Sequence, residues 1–360
     1  MRITIGGDVS IKEDCRELFA TCQGEKLFND IIPVFKNSDR VLVNLECAVT
    51  DKDTPIKKIG PNLNAPLNTV KTLKEVGVTD CGLSNNHIFD FGKPGMVDTI
   101  AQLDKYGLGY TGFGDNEQDS RKNLIMTHGD IKVAIIAVCE HEYSYALPNR
   151  MGARAYDPYD TNDDIVEAKK NADYVIVTYH GGKEECRYPS PRLIKACRSM
   201  VKHGADVVLC QHSHCIGCYE NFEGGHILYG QGNFHFVCKK YEDKADGGYM
   251  WNTGLLAQID IDKQSGVKVN YLPVIVDGAG IRLANKEEGA KLLAELEERS
   301  QTLKDGSWYK HFRDFCLSLP RYRYIPEEFK EKTAHFLDCE AHTDVMKEVY
   351  QTYNLTNELD

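Results

Sequence analysis

The sequence lacks the short signatures of three large enzyme classes. It contains no G-x-S-x-G nucleophile elbow, no G-x-x-x-x-G-K-[ST] phosphate-binding loop, and no G-x-G-x-x-G after its first predicted strand. Each signature places a nucleophile or a run of backbone N–H groups where the chemistry of its class requires them. Their absence argues against a serine hydrolase, a P-loop ATPase and a dinucleotide-dependent enzyme.

Long apolar runs and an excess of positive charge are also missing. No apolar run approaches the roughly 18 residues that a membrane-spanning helix needs. Because Met1 and Arg2 lead directly into a predicted strand, we expect no signal peptide and no direct membrane insertion. The formal net charge of -11 argues against nucleic acid as a partner, since phosphates favour clusters of lysine and arginine. A polyglutamate-like substrate would likewise need a local basic patch or metal ions.

The 13 cysteines form no disulfide framework. Their number is odd and their spacing irregular, which in a chain of this length favours packing thiols in a reducing compartment. Cys215 and Cys218 have the C-x-x-C spacing of redox and zinc sites, but no second such pair exists to complete a zinc site. We therefore expect a cytoplasmic protein.

Strand and helix patterns alternate through the first two thirds of the chain, which predicts an α/β fold built in layers. The clearest unit runs from a strand at 174–178, through a helix with Ser190 as its N-cap, to a strand at 207–210. The other predicted segments are helices at 27–35, 66–76 and 93–106, a polar connection at 141–163 that lines a substrate mouth, and an antiparallel pair at 254–261 and 266–275.

The composition changes near residue 283. Glutamate, lysine, leucine and alanine dominate to residue 303, and 326–353 again has a helical pattern. We predict a main domain at 1–282 and a helical extension at 283–360. The extension either packs on the main domain or offers a docking surface to a protein partner.

Polar side chains follow several of the predicted strands. Ligands of sheet-based α/β proteins bind at the carboxyl ends of strands, so these side chains are predicted to share one site. An isolated H-x-H is more often a surface pair than a metal site, but the whole set has the donor types that hold metal ions. The set is Asp8, Glu46, Asn86, His87, His180, His212 and His214.

The order of these motifs resembles that of bacterial poly-γ-glutamate capsule-synthesis proteins of the CapA type, a family related to the calcineurin-like metallophosphoesterases. The resemblance covers about residues 1–280. It implies a metallophosphoesterase-like layered αββα sandwich and a role linked to capsule or poly-γ-glutamate synthesis. The motifs are Gly7-Asp8, Asn44-Leu45-Glu46, Asn85-Asn86-His87-x-x-Asp90-x-Gly92, His180-Gly181, His212-x-His214 and Gly232-Asn233-Phe234.

The resemblance also implies a ligand set for two divalent ions. Glu46 takes the bridging place, Asp8 and His214 serve the first ion, and Asn86, His180 and His212 serve the second. A mixed set of oxygen and imidazole donors suits manganese, iron or zinc better than calcium. Ser10 stands where the related phosphoesterases carry a histidine ligand, so a mononuclear site, or a first site that prefers magnesium or manganese, stays open.

His87 resembles the residue that protonates the leaving oxygen or stabilises the transition-state charge in related phosphoesterases, and Asp90 is predicted to fix its tautomer. The alternative is a histidine at a helix start with a capping aspartate. Five residues are candidates for contacts with the substrate. These are Lys58, Lys183, Arg187, Tyr188 and Asn233.

Two of these candidates have a simpler explanation. Lys183 begins a Lys-Glu-Glu run that is equally typical of a solvated surface, and Asn233 between glycine and phenylalanine is equally typical of a turn. The predicted function is a metal-dependent hydrolase that acts on a small anionic substrate, either a phosphoester or a glutamyl compound. The alternative is a non-catalytic accessory protein of polyglutamate or polysaccharide synthesis with a vestigial metal site.

Overall fold

The structure is a computed structural model that describes residues 1–319 except 59, 141, 240–245 and 247. The strands are β1 (Arg2–Val9), β2 (Arg40–Leu45), β3 (Ala48–Val49), β4 (Asn64–Ala65), β5 (Asp80–Gly82), β6 (Gly109–Thr111), β7 (Phe113–Gly114), β8 (Leu124–His128), β9 (Ile131–Cys139), β10 (Gly152–Ala153), β11 (Tyr174–His180), β12 (Val207–Gln211), β13 (Tyr219–Phe222), β14 (Gly225–Leu228), β15 (Asn233–His235), β16 (Thr253–Asp262), β17 (Gly266–Asp277) and β18 (Gly280–Leu283). The α-helices are α1 (Glu13–Ala20), α2 (Gly24–Phe28), α3 (Ile31–Lys36), α4 (Thr69–Val76), α5 (Gly92–Tyr106), α6 (Glu117–Ser120), α7 (Pro158–Asn171), α8 (Pro191–Lys202), α9 (Lys286–Asp305) and α10 (Trp308–Ser318).

Two large sheets organise the fold. The first has the order β18-β17-β16-β1-β2-β5-β6, with β15 also paired to β1, and the second has the order β13-β14-β12-β11-β9-β8. Strands β1, β2, β5, β6 and β15 are parallel in the first sheet, and β9, β11, β12 and β14 are parallel in the second. The predicted antiparallel pair is confirmed as β16 and β17. Each sheet therefore has an edge at which several carboxyl ends meet.

The side chains of the central strands alternate between two cores. In β9, Val133 and Ile135 lie in the core between the sheets, whereas Ala134 and Ile136 pack in a cluster with residues of α7 and α8. The first sheet repeats this pattern, because Leu42 of β2 faces the second sheet while its neighbours contact the cluster that contains α1–α5. A strand whose side chains alternate between two buried faces needs other elements packed on both sides of its sheet. The predicted layered αββα sandwich is confirmed.

Helix α9 packs on this sandwich. Leu292 and Leu296 join the core between the sheets, and Ser300 Oγ accepts a hydrogen bond of 2.8 Å from the backbone N–H of Tyr219 in β13. Asn285 forms a capping box with Glu288 at the start of the helix. The first helix of the predicted extension therefore contacts the main domain, while the predicted helix at 326–353 lies outside the described residues.

The prediction of one helix at 27–35 is wrong. Helix α2 ends at Phe28 and α3 begins at Ile31, with Asn29 between them at φ 43°. Phe28, Ile31 and Phe35 are all buried in one core cluster. The apolar pattern therefore indicated correctly which residues are buried, but these residues belong to two short helices and not to one continuous helix.

The polar connection predicted at 141–163 is wrong in its last part, because α7 begins at Pro158. Asp157 Oδ1 accepts hydrogen bonds from the backbone N–H groups of Tyr159 at 2.8 Å and Asp160 at 2.9 Å, and proline occupies the first turn. Ile165 is buried on this helix. The sequence contains the capping residues of this helix, but its apolar face is too narrow to give a clear helical pattern. None of the described helices is long and apolar enough to cross a bilayer.

Candidate metal centre

Strand ends from both sheets deliver the candidate ligands to one place. Asp8 lies in β1 beside Asn44 of β2 and Asn233 of β15, and His180 ends β11 beside Gln211 of β12. Strands β1 and β11 are longer than the sequence predicted, so Asp8 and His180 are held by strand pairing rather than by loops. This pairing fixes each residue within its own sheet, and Asn44 Nδ2 contacts both Asp8 Oδ1 and His180 Nδ1 across the two sheets.

We define the strand-end cluster as Asp8, Glu46, His180, His212 and His214. Within it, Asp8, Glu46 and His180 each offer a ligand atom, and these atoms lie within 4.8 Å of one another. Glu46, His212 and His214 form a second group that meets the same limit. Glu46 belongs to both groups, which is the geometry that a bridging carboxylate requires. All five side chains are buried.

The Glu46 carboxylate is the least satisfied group in the cluster. Its residue is fully buried, and neither Oε1 nor Oε2 accepts a hydrogen bond from any residue that the structure describes. Burial, together with the charge of Asp8, raises the pKa of Glu46 well above its ordinary value. A cation at this position would remove both penalties, so the donor set fits a divalent metal.

Asp8 has a different environment from Glu46. Its Oδ1 accepts a hydrogen bond of 2.7 Å from Asn44 Nδ2, and its Oδ2 accepts one of 3.0 Å from the backbone N–H of His212. Burial opposes ionisation, but the hydrogen bond and charge of His180, followed by the charge of His214, hold the pKa of Asp8 below its ordinary value. Asp8 is thus prepared to act as an anionic ligand.

His180 contacts asparagine side chains through both ring nitrogens. Its Nε2 lies 2.8 Å from Asn86 Oδ1 and 3.5 Å from Glu46 Oε1, while its Nδ1 lies 3.0 Å from Asn44 Nδ2. The predicted ligands Asn86, His180 and Glu46 therefore present their donor atoms to one another. Asn44 contacts both His180 and Asp8. It belongs to the motif Asn44-Leu45-Glu46, but no role was predicted for it from the sequence.

His212 and His214 both occupy the left-handed region of backbone space, at φ 81° and φ 53°. Non-glycine residues adopt this conformation at a cost, and residues in such conformations often cluster at functional sites. His214 Nδ1 lies 2.8 Å from Asn233 Oδ1, and Asn233 Nδ2 donates to the carbonyl of Trp251 at 2.9 Å. Because this second bond orients the amide, its oxygen faces Nδ1 of His214, and this arrangement favours the tautomer with the proton on Nδ1.

His87, Asp90 and Lys58 form a buried group beside Asn86. His87 Nδ1 lies 2.6 Å from Asp90 Oδ2, which also accepts a hydrogen bond of 2.7 Å from the backbone N–H of Leu63. Lys58 Nζ forms an ion pair with Asp90 and donates to the carbonyl of Asn86 at 3.3 Å. Burial lowers the pKa of His87 to about 4 despite the opposing effect of Asp90. The ring is therefore neutral at neutral pH, and its Nδ1 faces both Asp90 Oδ2 and, at 3.2 Å, Lys58 Nζ.

Three other predicted substrate contacts have no described contact with the strand-end cluster. Lys183 is exposed, although its neighbour Glu184 lies 4.0 Å from His212 Nε2. Arg187 lies 3.5 Å from Glu295 Oε2 of α9, and the Tyr188 ring stacks on His311 of α10 with centroids 4.7 Å apart. Arg187 and Tyr188 therefore connect the loop after His180 to the C-terminal helices.

The aromatic side chains that pack beside His214 were not predicted from the sequence. The His214 ring lies 4.6 Å from the Trp251 ring and 5.2 Å from the Phe236 ring, centroid to centroid. Lys12 Nζ lies 5.3 Å from the centroid of Phe236. Lys12 closely follows Asp8 in the sequence, which is a weak signal, but nothing in the sequence connects position 236 or 251 to His214.

Fold and site together define a four-layer α/β protein with a buried carboxylate and imidazole cluster at its strand ends, an arrangement compatible with metal binding. The profile of the bacterial capsule synthesis protein PGA_cap family matches residues 2–237. The chain belongs to this family, as its motifs predicted.

Two curated relatives come from bacilli. The chain is 31% identical over 245 residues to a capsule biosynthesis protein CapA of Bacillus anthracis, which covers 66% of this chain and 60% of the relative. It is 29% identical over 235 residues to a PGA biosynthesis protein CapA of Bacillus subtilis, with coverage of 64% and 62%. The match therefore spans about three fifths of the length of these relatives.

Solved structures show a more distant likeness. A hypothetical protein from Thermus thermophilus has a TM-score of 0.48 and 15% identity, covering 76% of this chain and 98% of that one. A 5'-nucleotidase precursor from the same organism has a TM-score of 0.44 and 13% identity, covering 85% and 59%.

Proposed function

We propose that this chain is a metal-dependent hydrolase that cleaves a small anionic molecule, either a phosphoester or a glutamyl compound, in capsule or poly-γ-glutamate synthesis. One observation carries the proposal. The fully buried Glu46 carboxylate, without a hydrogen bond from the described residues, is shared by two groups of potential ligand atoms. The names of the bacillus relatives support the link to capsule or PGA synthesis.

The candidate residues would have different roles. The resemblance assigns Asp8 and His214 to one ion, Asn86, His180 and His212 to a second, and Glu46 to both, whereas the ligand atoms group as Asp8, Glu46 and His180 and as Glu46, His212 and His214. In either division three imidazoles favour manganese, iron or zinc over magnesium. Bound ions would supply Lewis acidity and activate water. The neutral His87 ring faces Asp90 through Nδ1 and leaves its other nitrogen to exchange a hydrogen bond with the substrate. Burial of the cluster excludes bulk water and strengthens each of these interactions.

Metal content measured together with hydrolysis tests the proposal. Purified protein reconstituted with manganese, iron or zinc is analysed by mass spectrometry for ions per chain, and assayed with bis(p-nitrophenyl) phosphate and γ-glutamyl p-nitroanilide. We expect up to about two ions per chain, as in two-metal hydrolases, and turnover of one of the two probes. His212→Ala should lower both the metal content and the turnover, the latter by more than about 100-fold, since it removes a direct ligand.

His203→Ala is the matched control, because His203 is exposed at the end of α8 and its Nδ1 lies 2.7 Å from the carbonyl oxygen of Ser199, with no other hydrogen bond to a described residue. This variant should keep the wild-type metal content and rate. Equal metal content in wild type and His212→Ala would remove the hydrolase proposal.

A second candidate function is favoured by Ser10. This residue stands where the resemblance implies a histidine ligand, and its fully buried Oγ forms no hydrogen bond with the described part of the chain. The first ion then has one imidazole fewer, as expected for an accessory protein with a vestigial site. Wild-type protein that takes up no metal and turns over neither probe would favour this accessory role.

A further inference from the structure

Lys12 lies next to the strand-end cluster without belonging to it. It lies three residues after the end of β1, at the N-cap position of α1, and is half-buried. Its ammonium lies over the Phe236 ring, 5.3 Å from the centroid, and the edge of that ring meets the His214 ring at 5.2 Å with an interplanar angle of 88°. One aromatic ring therefore separates the ammonium from a candidate metal ligand.

The two lysines near the cluster differ in their partners. Lys58 Nζ is paired with Asp90 and exposes 2% of its side chain. Lys12 Nζ forms no hydrogen bond or ion pair with any residue in the described ranges, and its contact with Phe236 is a cation–π contact. Burial lowers the pKa of Lys12, and the electrostatic effects of Cys238 and Glu46 only partly oppose this. Half-burying an ammonium without an anion is costly, so its position is best explained by an anion that arrives with a ligand.

We propose that Lys12 binds an oxyanion of the substrate, a phosphate or a carboxylate, beside the strand-end cluster. This inference rests on the proposed function and specifies the substrate class of that site. A lysine ammonium is a compact charge with three donors and suits either oxyanion. Because the chain carries a net charge of -11, an anionic substrate needs a local cation at the site to offset the field of the whole molecule.

Binding of two simple oxyanions tests the inference independently of turnover. Inorganic phosphate and L-glutamate are titrated calorimetrically into metal-reconstituted wild type, Lys12→Gln and Lys12→Arg, and the metal content of each sample is measured. Lys12→Gln should bind the preferred anion about tenfold more weakly or worse, the effect of losing one charged hydrogen bond. Lys12→Arg should restore most of the affinity, and both variants should keep the wild-type metal content. The anion that binds wild type more tightly identifies phosphate or carboxylate as the source.

Lys239→Gln is the matched control. It removes the same charge from a lysine that lies 3.8 Å from Asp14 Oδ1 and exposes 64% of its side chain, so it should not change the affinity. Wild-type affinity in Lys12→Gln would overturn the inference, and so would loss of metal from that variant, because Lys12 would then act on the cluster itself. Wild-type protein without metal would overturn the proposed function, while the titrations on the same samples would still decide for or against Lys12.

Discussion

The strand-end cluster and the first turn of α9 differ in how their carboxylates are hydrogen-bonded. At α9, the Glu288 carboxylate accepts hydrogen bonds from Arg282 at 2.8 and 2.9 Å and from the backbone N–H of Asn285 at 2.8 Å. In the cluster, Glu46 accepts none from the described residues, and His212 adopts φ 81°. Proteins keep unsatisfied charge and backbone strain mainly where function requires them. The comparison indicates that α9 stabilises the fold, whereas the cluster lowers its stability, as expected if it is a binding site.

The largest expected effect on stability comes from a substitution in α9. Leu296→Ala should lower the free energy of unfolding by about 2–5 kcal/mol, because it leaves a cavity in the core between the sheets. Chemical denaturation with parallel metal analysis measures this, and the metal content should stay unchanged below the transition. Leu293→Ala, on the same helix but 38% exposed, should cost far less. Equal losses in the two variants would show that α9 does not pack as described.

The next effect has the opposite sign. Glu46→Gln should raise the free energy of unfolding of the metal-free protein by about 1–3 kcal/mol, because it removes a buried carboxylate that accepts no hydrogen bond from the described residues. The same variant should fail to retain metal. Denaturation in the presence of a chelator measures the stability, with Glu25→Gln, an exposed carboxylate, as the control. A clear destabilisation of the metal-free Glu46→Gln protein would contradict the view that this group opposes folding.

The smallest effect concerns pH. The hydrogen bonds from Arg282 and then from the backbone of Asn285 lower the pKa of Glu288 from its ordinary 4.5 to about 2. A carboxyl with a lowered pKa in the folded state stabilises the protein fully above 4.5, and this contribution is lost as the pH falls toward about 2. Thermal midpoints of wild type and Glu288→Gln should therefore differ at pH 7 and converge in acid. Glu287→Gln controls for the first-turn charge, and a constant difference at all pH values would reject the assignment.

Local patterns predicted much of this molecule. Capping residues and apolar spacing located α5, α8 and the β16–β17 pair, because these depend on neighbours within a few positions. The same reasoning failed at Asn29, where φ 43° interrupts an apolar run. Helix α7 was missed although Asp157 and Pro158 signal its start. In both places, burial against distant strands decided the structure and the local pattern did not.

Prediction of the site from the sequence was limited in the same way. The sequence order pointed to Asp8, Glu46, His180 and the H-x-H pair, which the structure brings together. It could not show that Asn233 orients His214, or that Lys12 lies over Phe236, since these contacts join residues 19 and 224 positions apart and depend on sheet pairing. Motifs therefore identify the candidate ligands of such a site, while strand register determines what surrounds them.

Anomalous diffraction from crystals of wild-type protein soaked in manganese tests the central claim most directly. The account predicts anomalous peaks bounded by Asp8, Glu46, His180, His212 and His214, and their loss in Glu46→Gln crystals soaked in the same way. A wild-type map with no peak at these residues, or with its strongest peak elsewhere on the protein, would contradict it.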